Sequence, residues 1–433
     1  MVYIVSILSF ILALTARYID KTFFNPVTLL CGMWGVIVFL SKLQLYKLNS
    51  TSNEIYFIIL VGLLSFYFGY YFLRFVKVRL HIGDFEKNYY NITLRYQLLI
   101  IIGILIFLFQ LPNLISAIKI LILGGGLSNI RGLAQDSSSV LNSTSQWKSA
   151  INILFISPFC NTLVFVSGVD FWLGKRNKIL FYITLLITLT SLVSNGGRSA
   201  FINLIFSFVI SFIILQLKSR ERIEIEFLKK VIKKNKKIFS IVIILAIIII
   251  VLATISRNGD DNSLALLYYY CSMEPTMLES WIKIVEGSNI IGYGLASLNG
   301  FIFPIIYIVV NILGVSYPVG WKRIYDLTLL TDSNWIRIAG GRTANAYVSI
   351  FWFFYFDGGI IGVILGMLIY GMVMGGVAKN ALFRTDSTIK DYCIYISLMI
   401  GLFYSFARIQ FTSVYYALSI LYLLLFCFKR KVK

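Results

Sequence analysis

Residues 256–263 read SRNGDDNS and residues 332–347 read DSNWIRIAGGRTANAY, and both belong to a long polar interruption in an otherwise apolar chain. The interruption, residues 256–343, separates eight predicted apolar spans from three more. Ordinary connections between helices are only a few residues long. A segment of this length, with mixed charge, aromatic residues and glycine, predicts an external loop that builds a site.

The composition indicates an integral membrane protein. Of 433 residues, 58% are hydrophobic and only 13% are charged, and the mean hydropathy is +0.83, outside the range of a soluble domain. Runs near 20 apolar residues match a hydrocarbon core about 30 Å thick. They predict an all-α, polytopic fold, a single membrane domain over 1–433 with about 11–12 transmembrane helices and one large external loop containing amphipathic helices. The predicted spans are 2–16, 25–41, 54–73, 95–123, 149–173, 178–194, 199–217, 238–255, 344–378, 391–407 and 411–428.

The distribution of Lys and Arg predicts the orientation. Segment 218–237 holds nine of them, 174–178 reads GKRNK and 429–433 reads KRKVK, all beside spans. Cytoplasmic loops carry this excess. Residues 256–343, with six basic and seven acidic residues, are nearly neutral and are therefore expected outside, as is the N-terminus. Because topology explains the net charge of +20, no nucleic-acid partner is predicted.

Two features of the external loop have ordinary structural explanations. Residues 301–315 are apolar but too short to span comfortably, so we expect a helix lying on or partly in the outer membrane surface. Asp260 and Asp261 form an adjacent pair without a third acid at a defined spacing, and a turn explains them equally well. We therefore predict no metal and no cofactor.

Arg198 is the first candidate site residue. It lies in SNGGRSAF, a short turn between two spans at the predicted outer face. Gly196 and Gly197 let the backbone approach a ligand closely, and the turn opens a helix whose N-terminus attracts anions. The alternative is that Arg198 acts alone and its side chain extends to a lipid phosphate.

Further arginines are predicted at the same outer level. Their fork geometry suits a diphosphate, because it binds two oxygens and does not deprotonate. The alternative is that each arginine anchors one helix end. Arg257, Arg342 and Arg408 adjoin spans or the tip of the last hairpin, and Arg131, Arg323 and Arg337 lie further out in loops.

Any outward proton transfer is expected to fall to a carboxylate or to no protein group. The only histidine, His81, lies in a loop predicted inside. Asp357 stands out because ionisable groups within apolar spans are costly and often functional, and its structural alternative is a partner for an arginine. The other candidates, most of them expected to be solvated, are Asp260, Asp261, Glu274, Glu279, Glu286, Asp326 and Asp332.

The chain resembles the bacterial oligosaccharide repeat-unit polymerases, the Wzy type of O-antigen and capsule assembly. The shared features are the span number, SNGGRSAF between two central spans, a large late outer loop, and a following D-G-G-x-x-G element at Asp357 to Gly362. The resemblance implies a multi-pass protein of the bacterial cytoplasmic (inner) membrane, with its active site facing outward. It supports Arg198, Arg342 and Asp357 as catalytic residues. Arg257 and Arg408 rest mainly on the predicted topology. The expected substrate-binding residues are Gly196, Gly197, Arg257, Arg337 and Arg408.

The implied reaction is the transfer of a growing glycan from undecaprenyl diphosphate to a sugar hydroxyl of the next lipid-linked unit. The implied partners are that lipid-linked oligosaccharide, the growing polysaccharide and membrane lipid, with a flippase and a chain-length regulator as further candidates. Three alternatives stay open: a lipid-linked oligosaccharide flippase or exporter, an O-antigen ligase, and a non-catalytic assembly partner. Related ligases use an outer histidine, which this chain lacks by the predicted topology.

Overall fold

The computed structural model describes residues 1–75, 90–124, 126, 130, 132–133, 146–195, 199–221 and 263–432. Within these ranges the chain is mainly helical, and eight helices are long and apolar enough to cross a membrane. Ten of the eleven predicted spans coincide with helices, and the eleventh, 238–255, lies outside the described residues. The all-α, multi-helix prediction is confirmed to this extent.

The chain packs as two compact units. The first comprises Met1–Leu80, Asn262–Asn380 and Gly401–Ala417, and the second comprises His81–Asp261, Ala381–Ile400 and Leu418–Lys433. Before the polar interruption the elements are α1 Val2–Asp20, α2 Pro26–Leu43, α3 Asn53–Phe75, β1 Tyr90–Leu94, α4 Tyr96–Ile122, α5 Gln146–Ile151, α6 Ser157–Leu173, α7 Lys178–Asn195 and α8 Ser199–Glu221. After it they are α9 Ser263–Tyr270, α10 Glu274–Ser288, α11 Asn299–Leu313, α12 Val319–Ser333, β2 Ile336–Ala339, β3 Arg342–Ala344, α13 Ser349–Ala378, α14 Ile389–Phe403, α15 Val414–Phe426 and β4 Phe428–Val432.

In the first unit, residues 263–348, hereafter the cap, fold over one end of the first helices. The Tyr268 hydroxyl donates to the Leu40 carbonyl at 2.7 Å, at the end of α2. The backbone N–H of Ser52, just before α3, donates to Glu279 at 3.0 Å. Because α1 and α2 run antiparallel, the N-terminus lies at the cap end too. This agrees with the prediction that the N-terminus and the polar loop share a side.

Helix α13 is broken into two arms. Gly358 and Gly359 have non-helical backbones, and Gly359 has φ 60° and ψ −147°, a conformation that is essentially restricted to glycine. The first arm, 349–357, is largely buried in the unit. The second arm, 360–378, rises about 28 Å and therefore matches the hydrocarbon core by itself. The predicted span 344–378 is thus one crossing preceded by a separate helix.

The second arm of α13 lies directly against α3 because glycines line the contact. A Cβ at Gly371 would meet the Phe66 carbonyl oxygen, and one at Gly375 would meet the Tyr70 carbonyl oxygen. Small residues spaced four apart let membrane helices approach until their backbones touch. The α3–α13 pair is therefore the tightly packed centre of the first unit.

Gly371→Ala is expected to destabilise the protein by about 1–3 kcal/mol, because its methyl group forces these backbones apart. Gly376→Ala is the matched control. Its Cβ would lie 3.8 Å from the nearest atom, in Leu73, and alanine is the better helix former. Thermal denaturation in detergent compares the two variants. Equal midpoints would contradict the proposed close packing.

The second unit brings the predicted cytoplasmic segments together. Strand β1 pairs with β4 antiparallel, with Tyr90 opposite Val432. The Asp170 carboxylate ends α6, accepting hydrogen bonds from the Tyr96 hydroxyl at 2.5 Å and from the Asn177 N–H at 2.7 Å. The basic tail, the basic turn 174–177 and the start of α4 therefore lie near one end of the unit. The clustering agrees with a common side for these segments.

Candidate functional site

Arg337 and Arg342 lie on one β-hairpin of the cap. Arg337 is paired with Thr343, and Arg342 with Ala339 across a tip in which Gly341 has φ 118°. Both arginines are exposed. Asn49 fixes the hairpin with two hydrogen bonds. Its backbone N–H donates to the Ile338 carbonyl at 2.9 Å, and its side-chain amide donates to the Arg337 carbonyl at 3.1 Å. Two exposed guanidinium groups thus stand on a braced support.

The environment of Tyr269 locates Arg342 further. The Tyr269 hydroxyl donates to the Tyr46 carbonyl at 2.6 Å, so this tyrosine ties the cap to the segment between α2 and α3. Burial raises the pKa of Tyr269, and the nearby Arg342 charge partly opposes that rise. Arg342 therefore lies above the end of α2, at the surface of the cap.

Arg408 forms a two-pronged ion pair with Asp332, at the end of α12. Its Nη1 donates to Asp332 Oδ2 at 3.2 Å, and its Nη2 donates to Oδ1. The Asp332 carbonyl in turn accepts from the Asn345 side chain at 2.6 Å. Sequence analysis did not assign this carboxylate partner. Asp332 fixes the position of Arg408 and offsets part of its charge.

The hairpin and the Arg408 pair belong to one surface. Asn345, bound at Asp332, is only three residues beyond Arg342, so their Cα atoms are at most about 10 Å apart. The N–H groups of Val348 and Ser349 both donate to the Ala407 carbonyl at 2.9 Å, which joins the start of α13 to the turn that carries Arg408. We call the surface that carries Arg337, Arg342 and Arg408 the arginine surface.

Asp357 holds a loop at the break in α13. Its Oδ1 accepts the Ala296 N–H at 3.0 Å and its Oδ2 accepts the Ser297 N–H at 3.1 Å. Its carbonyl accepts the Tyr293 N–H at 3.1 Å, and the Gly292 N–H donates to the Phe356 carbonyl at 2.8 Å. The backbone amides of Ala296 and Ser297 thus occupy both carboxylate oxygens. The structural alternative raised from the sequence was an arginine partner, and the partner found is a loop.

Asp357→Ala is expected to lower the free energy of unfolding by about 3 kcal/mol, because two hydrogen bonds to a charged acceptor are lost. Asp357→Asn keeps one acceptor oxygen and should fall between the alanine variant and the wild type. Asp326→Asn, in which an exposed carboxylate of α12 is changed, is the control. Thermal denaturation gives the order. If the Asp357 variants lose activity but keep the wild-type melting temperature, Asp357 acts as a base and does not hold the loop.

Glu274 is the candidate that sequence analysis undervalued. It begins α10 and is 0% exposed, and neither carboxylate oxygen has a hydrogen-bond partner in the described part of the chain. Burial raises its pKa to about 8, so the carboxyl is mainly neutral at pH 7. A signal was present in the sequence, since Glu274, Leu278 and Trp281 share one helix face with spacing i, i+4, i+7.

Four cap aromatics are buried: Tyr268, Tyr269, Trp281 and Trp321. Trp281 of α10 packs on Trp352 of the first arm of α13, with ring centroids 5.9 Å apart, and both are buried. Three others, by contrast, are exposed: Tyr293 by 79%, Trp335 by 61% and Tyr270 by 42%. Only such exposed rings are available to stack on a sugar in this conformation.

Several predicted residues cannot be placed. Arg198, Gly196, Gly197 and Arg257 lie outside the described residues, as do His81, Arg131, Asp260 and Asp261. Helix α7 ends at Asn195 and helix α8 begins at Ser199, so the predicted turn with Arg198 falls between two helices. No metal-binding group of three His, Cys, Asp or Glu occurs among the described residues, and the role of Asp260 and Asp261 stays a prediction.

No known protein family, curated protein or solved structure matches this chain.

Proposed function

We propose that the chain polymerises undecaprenyl-diphosphate-linked oligosaccharide repeat units on the outer face of a bacterial cytoplasmic membrane. The observation that carries the proposal is the arginine surface, built on a braced cap at one end of the membrane helices. A diphosphate needs such charge at the headgroup level, and guanidinium forks provide it without a metal. The resemblance to repeat-unit polymerases supplies the substrate class.

In the proposed reaction a hydroxyl oxygen of the incoming unit attacks the anomeric carbon of the growing glycan. The bond from that carbon to the diphosphate oxygen breaks, and the diphosphate leaves with the electron pair. The hydroxyl proton passes to a carboxylate. Arg342 and Arg337 neutralise the leaving group from the hairpin, and Arg408 adds charge that Asp332 partly offsets. Arg198 and Arg257 stay predicted diphosphate contacts.

Asp357, selected from its sequence position, is the proposed acceptor of the hydroxyl proton. Its hydrogen bonds to the 292–297 loop support a competing proposal, in which it only positions that loop. The two roles predict different stability effects, as described above. Glu274 is a second carboxyl at the cap end. It is neutral and buried, and its side chain is not exposed at the protein surface in this conformation.

The test is incubation of the purified protein in nanodiscs with a defined lipid-linked repeat unit, followed by chain-length analysis. A ladder of longer glycans is expected, and Arg342→Lys should lower its rate about 10²-fold because lysine keeps the charge but loses the fork. Arg323→Lys, which changes an exposed arginine of α12 that is not part of the arginine surface, is the control. Transport of the unit without lengthening would identify a flippase instead, and transfer to a different acceptor would identify a ligase.

A further inference from the structure

An exposed tryptophan stands at the start of the cap hairpin. Trp335 directly precedes β2 and lies three residues beyond Asp332, so their Cα atoms are at most about 10 Å apart. Trp335 and Arg337 are exposed. Ile336 is partly buried and Ile338 is buried. Because successive side chains of an extended chain point to opposite faces, Trp335 and Arg337 share the outer face of the hairpin.

The second strand completes this outer face. Thr343 is exposed and pairs directly with Arg337, and directly paired residues of an antiparallel ladder have their side chains on the same face. Trp335 and Asn345 flank the first cross-strand pair of the hairpin and therefore lie at the same end of it. The Asn345 side chain donates there to the Asp332 carbonyl at 2.6 Å. The outer face thus carries one indole ring among polar side chains.

The Arg408–Asp332 ion pair lies beside the same end of the hairpin. The Asp332 side chain is 51% exposed, although both of its carboxylate oxygens accept from Arg408. Each carboxylate oxygen has a further lone pair, and a guanidinium group has more N–H donors than the two that the pair uses. Acceptors and donors are therefore available side by side near Trp335, as neighbouring hydroxyl groups of a ligand require.

The surroundings of Trp335 are polar. Residues 332–335 and 340–343 are all exposed, and apart from the tryptophan they are Asp, Ser, Asn, Gly, Arg and Thr. A tryptophan that anchors a protein at the membrane–water interface has one end in apolar surroundings. An exposed indole ring with convergent polar groups around it is instead suited to a ligand that has both an apolar face and hydrogen-bonding groups.

We propose that the outer face of the hairpin binds a sugar of the lipid-linked unit, with one sugar ring on the Trp335 indole and its hydroxyl groups on the Arg408–Asp332 pair. The C–H groups of a pyranose form an apolar face that an aromatic ring removes from water, and its hydroxyl groups extend from the ring edge. Arg337 lies about 7 Å further along the same face, within reach of a diphosphate attached to that sugar. The inference rests on the proposed function for its substrate class.

The test compares two ligands of the purified full chain in detergent. One is undecaprenyl diphosphate. The other is the lipid-linked repeat unit of the polymerisation assay with CH2 in place of its anomeric oxygen, which prevents transfer. The ratio of the two affinities is the sugar preference of the protein.

Trp335→Ala should lower the sugar preference about tenfold and leave the affinity for undecaprenyl diphosphate unchanged, because only the sugar loses its apolar contact. Trp335→Phe keeps an aromatic ring and should retain most of the preference. Trp147→Ala is the matched control, since Trp147 is 81% exposed and belongs to the second compact unit. Melting temperatures should be equal in all three variants, because both tryptophans are exposed.

Asp332→Asn tests the hydroxyl contact separately. It should lower the sugar preference about five-fold, because one acceptor oxygen becomes a donor. The affinity for undecaprenyl diphosphate should rise, because asparagine no longer offsets the Arg408 charge. An unchanged sugar preference in Asp332→Asn would overturn the hydroxyl contact.

The outcomes for Trp335→Ala separate the sugar site from the polymerase. An equal loss of affinity for both ligands would make Trp335 a contact of the lipid or the diphosphate, and would overturn the sugar contact. Unchanged affinity for both ligands would overturn it as well. A sugar preference that depends on Trp335 in a protein that forms no polymer would support the sugar site and contradict the proposed polymerase. Polymer formation together with an unchanged preference in Trp335→Ala would overturn the sugar site alone.

Discussion

Arg198→Lys is expected to lower the rate of polymer formation about 10²–10³-fold, and Arg198→Ala at least as much, with protein abundance unchanged. Arg198 follows two glycines in the predicted turn between α7 and α8, and a lysine there keeps the charge while losing the two-oxygen fork. A lost charge-assisted contact in the transition state costs about 2–4 kcal/mol, which corresponds to this range of rates.

The assay is chain-length analysis with the defined lipid-linked unit, alongside the surface display of single units in cells. Arg176→Lys is the matched control, because Arg176 is exposed in the basic turn between α6 and α7, on the side predicted to be cytoplasmic. A lysine variant that polymerises at the wild-type rate would make Arg198 a lipid anchor. Polymer formation would then not depend on Arg198.

The second large effect is on stability. The free energy of unfolding is expected to fall as pH rises from about 4.5 to about 8, because Glu274 has a pKa of about 8 when folded and an ordinary value of 4.5. The folded state binds the proton more tightly, so the stabilisation is complete below the unfolded pKa and is lost as pH passes the folded one. The full difference is at most about 5 kcal/mol.

Glu274→Gln is expected to remove this dependence, since glutamine is neutral at every pH. Unfolding midpoints at pH 5, 7 and 9 in nanodiscs measure it, and the gap between the variant and the wild type should grow towards pH 9. Glu54→Gln, in which an exposed carboxylate at the start of α3 is changed, should follow the wild type. Parallel pH curves for the wild type and Glu274→Gln would mean that the Glu274 carboxyl is solvated or paired.

Local features that sequence analysis identified correctly were those that depend on composition and period. Apolar length predicted spans because each crossing must satisfy its own backbone hydrogen bonds in about 30 Å of hydrocarbon. The apolar stretch 301–315 was predicted as a short helix, and α11 Asn299–Leu313 confirms the helix. Arg337, Arg342 and Arg408 were selected by their position in the polar loop or beside spans, and their role stays a prediction. The cap hairpin carries Arg337 and Arg342, and the turn between α14 and α15 carries Arg408.

The partners of these residues were not predictable, because they lie far apart in the chain. Asp332 meets Arg408 across 76 residues, and Ala296 meets Asp357 across 61. The D-G-G element was read as part of a continuous span. A helix break at Gly359 becomes possible only when the 292–297 loop supplies amide donors to the freed carbonyls and to Asp357.

By itself, the sequence therefore determined a multi-helix membrane protein, its polar loop and the arginines beside that loop, because hydrophobic length and charge act locally. Only the tertiary structure decided the environment of each carboxyl group. It leaves Glu274 buried without a hydrogen-bond partner in the described part of the chain, binds Asp357 to backbone amides, and binds Asp332 to Arg408. The physical reason is that the state of a carboxyl group depends on desolvation and on neighbouring donors, and both are created by folding.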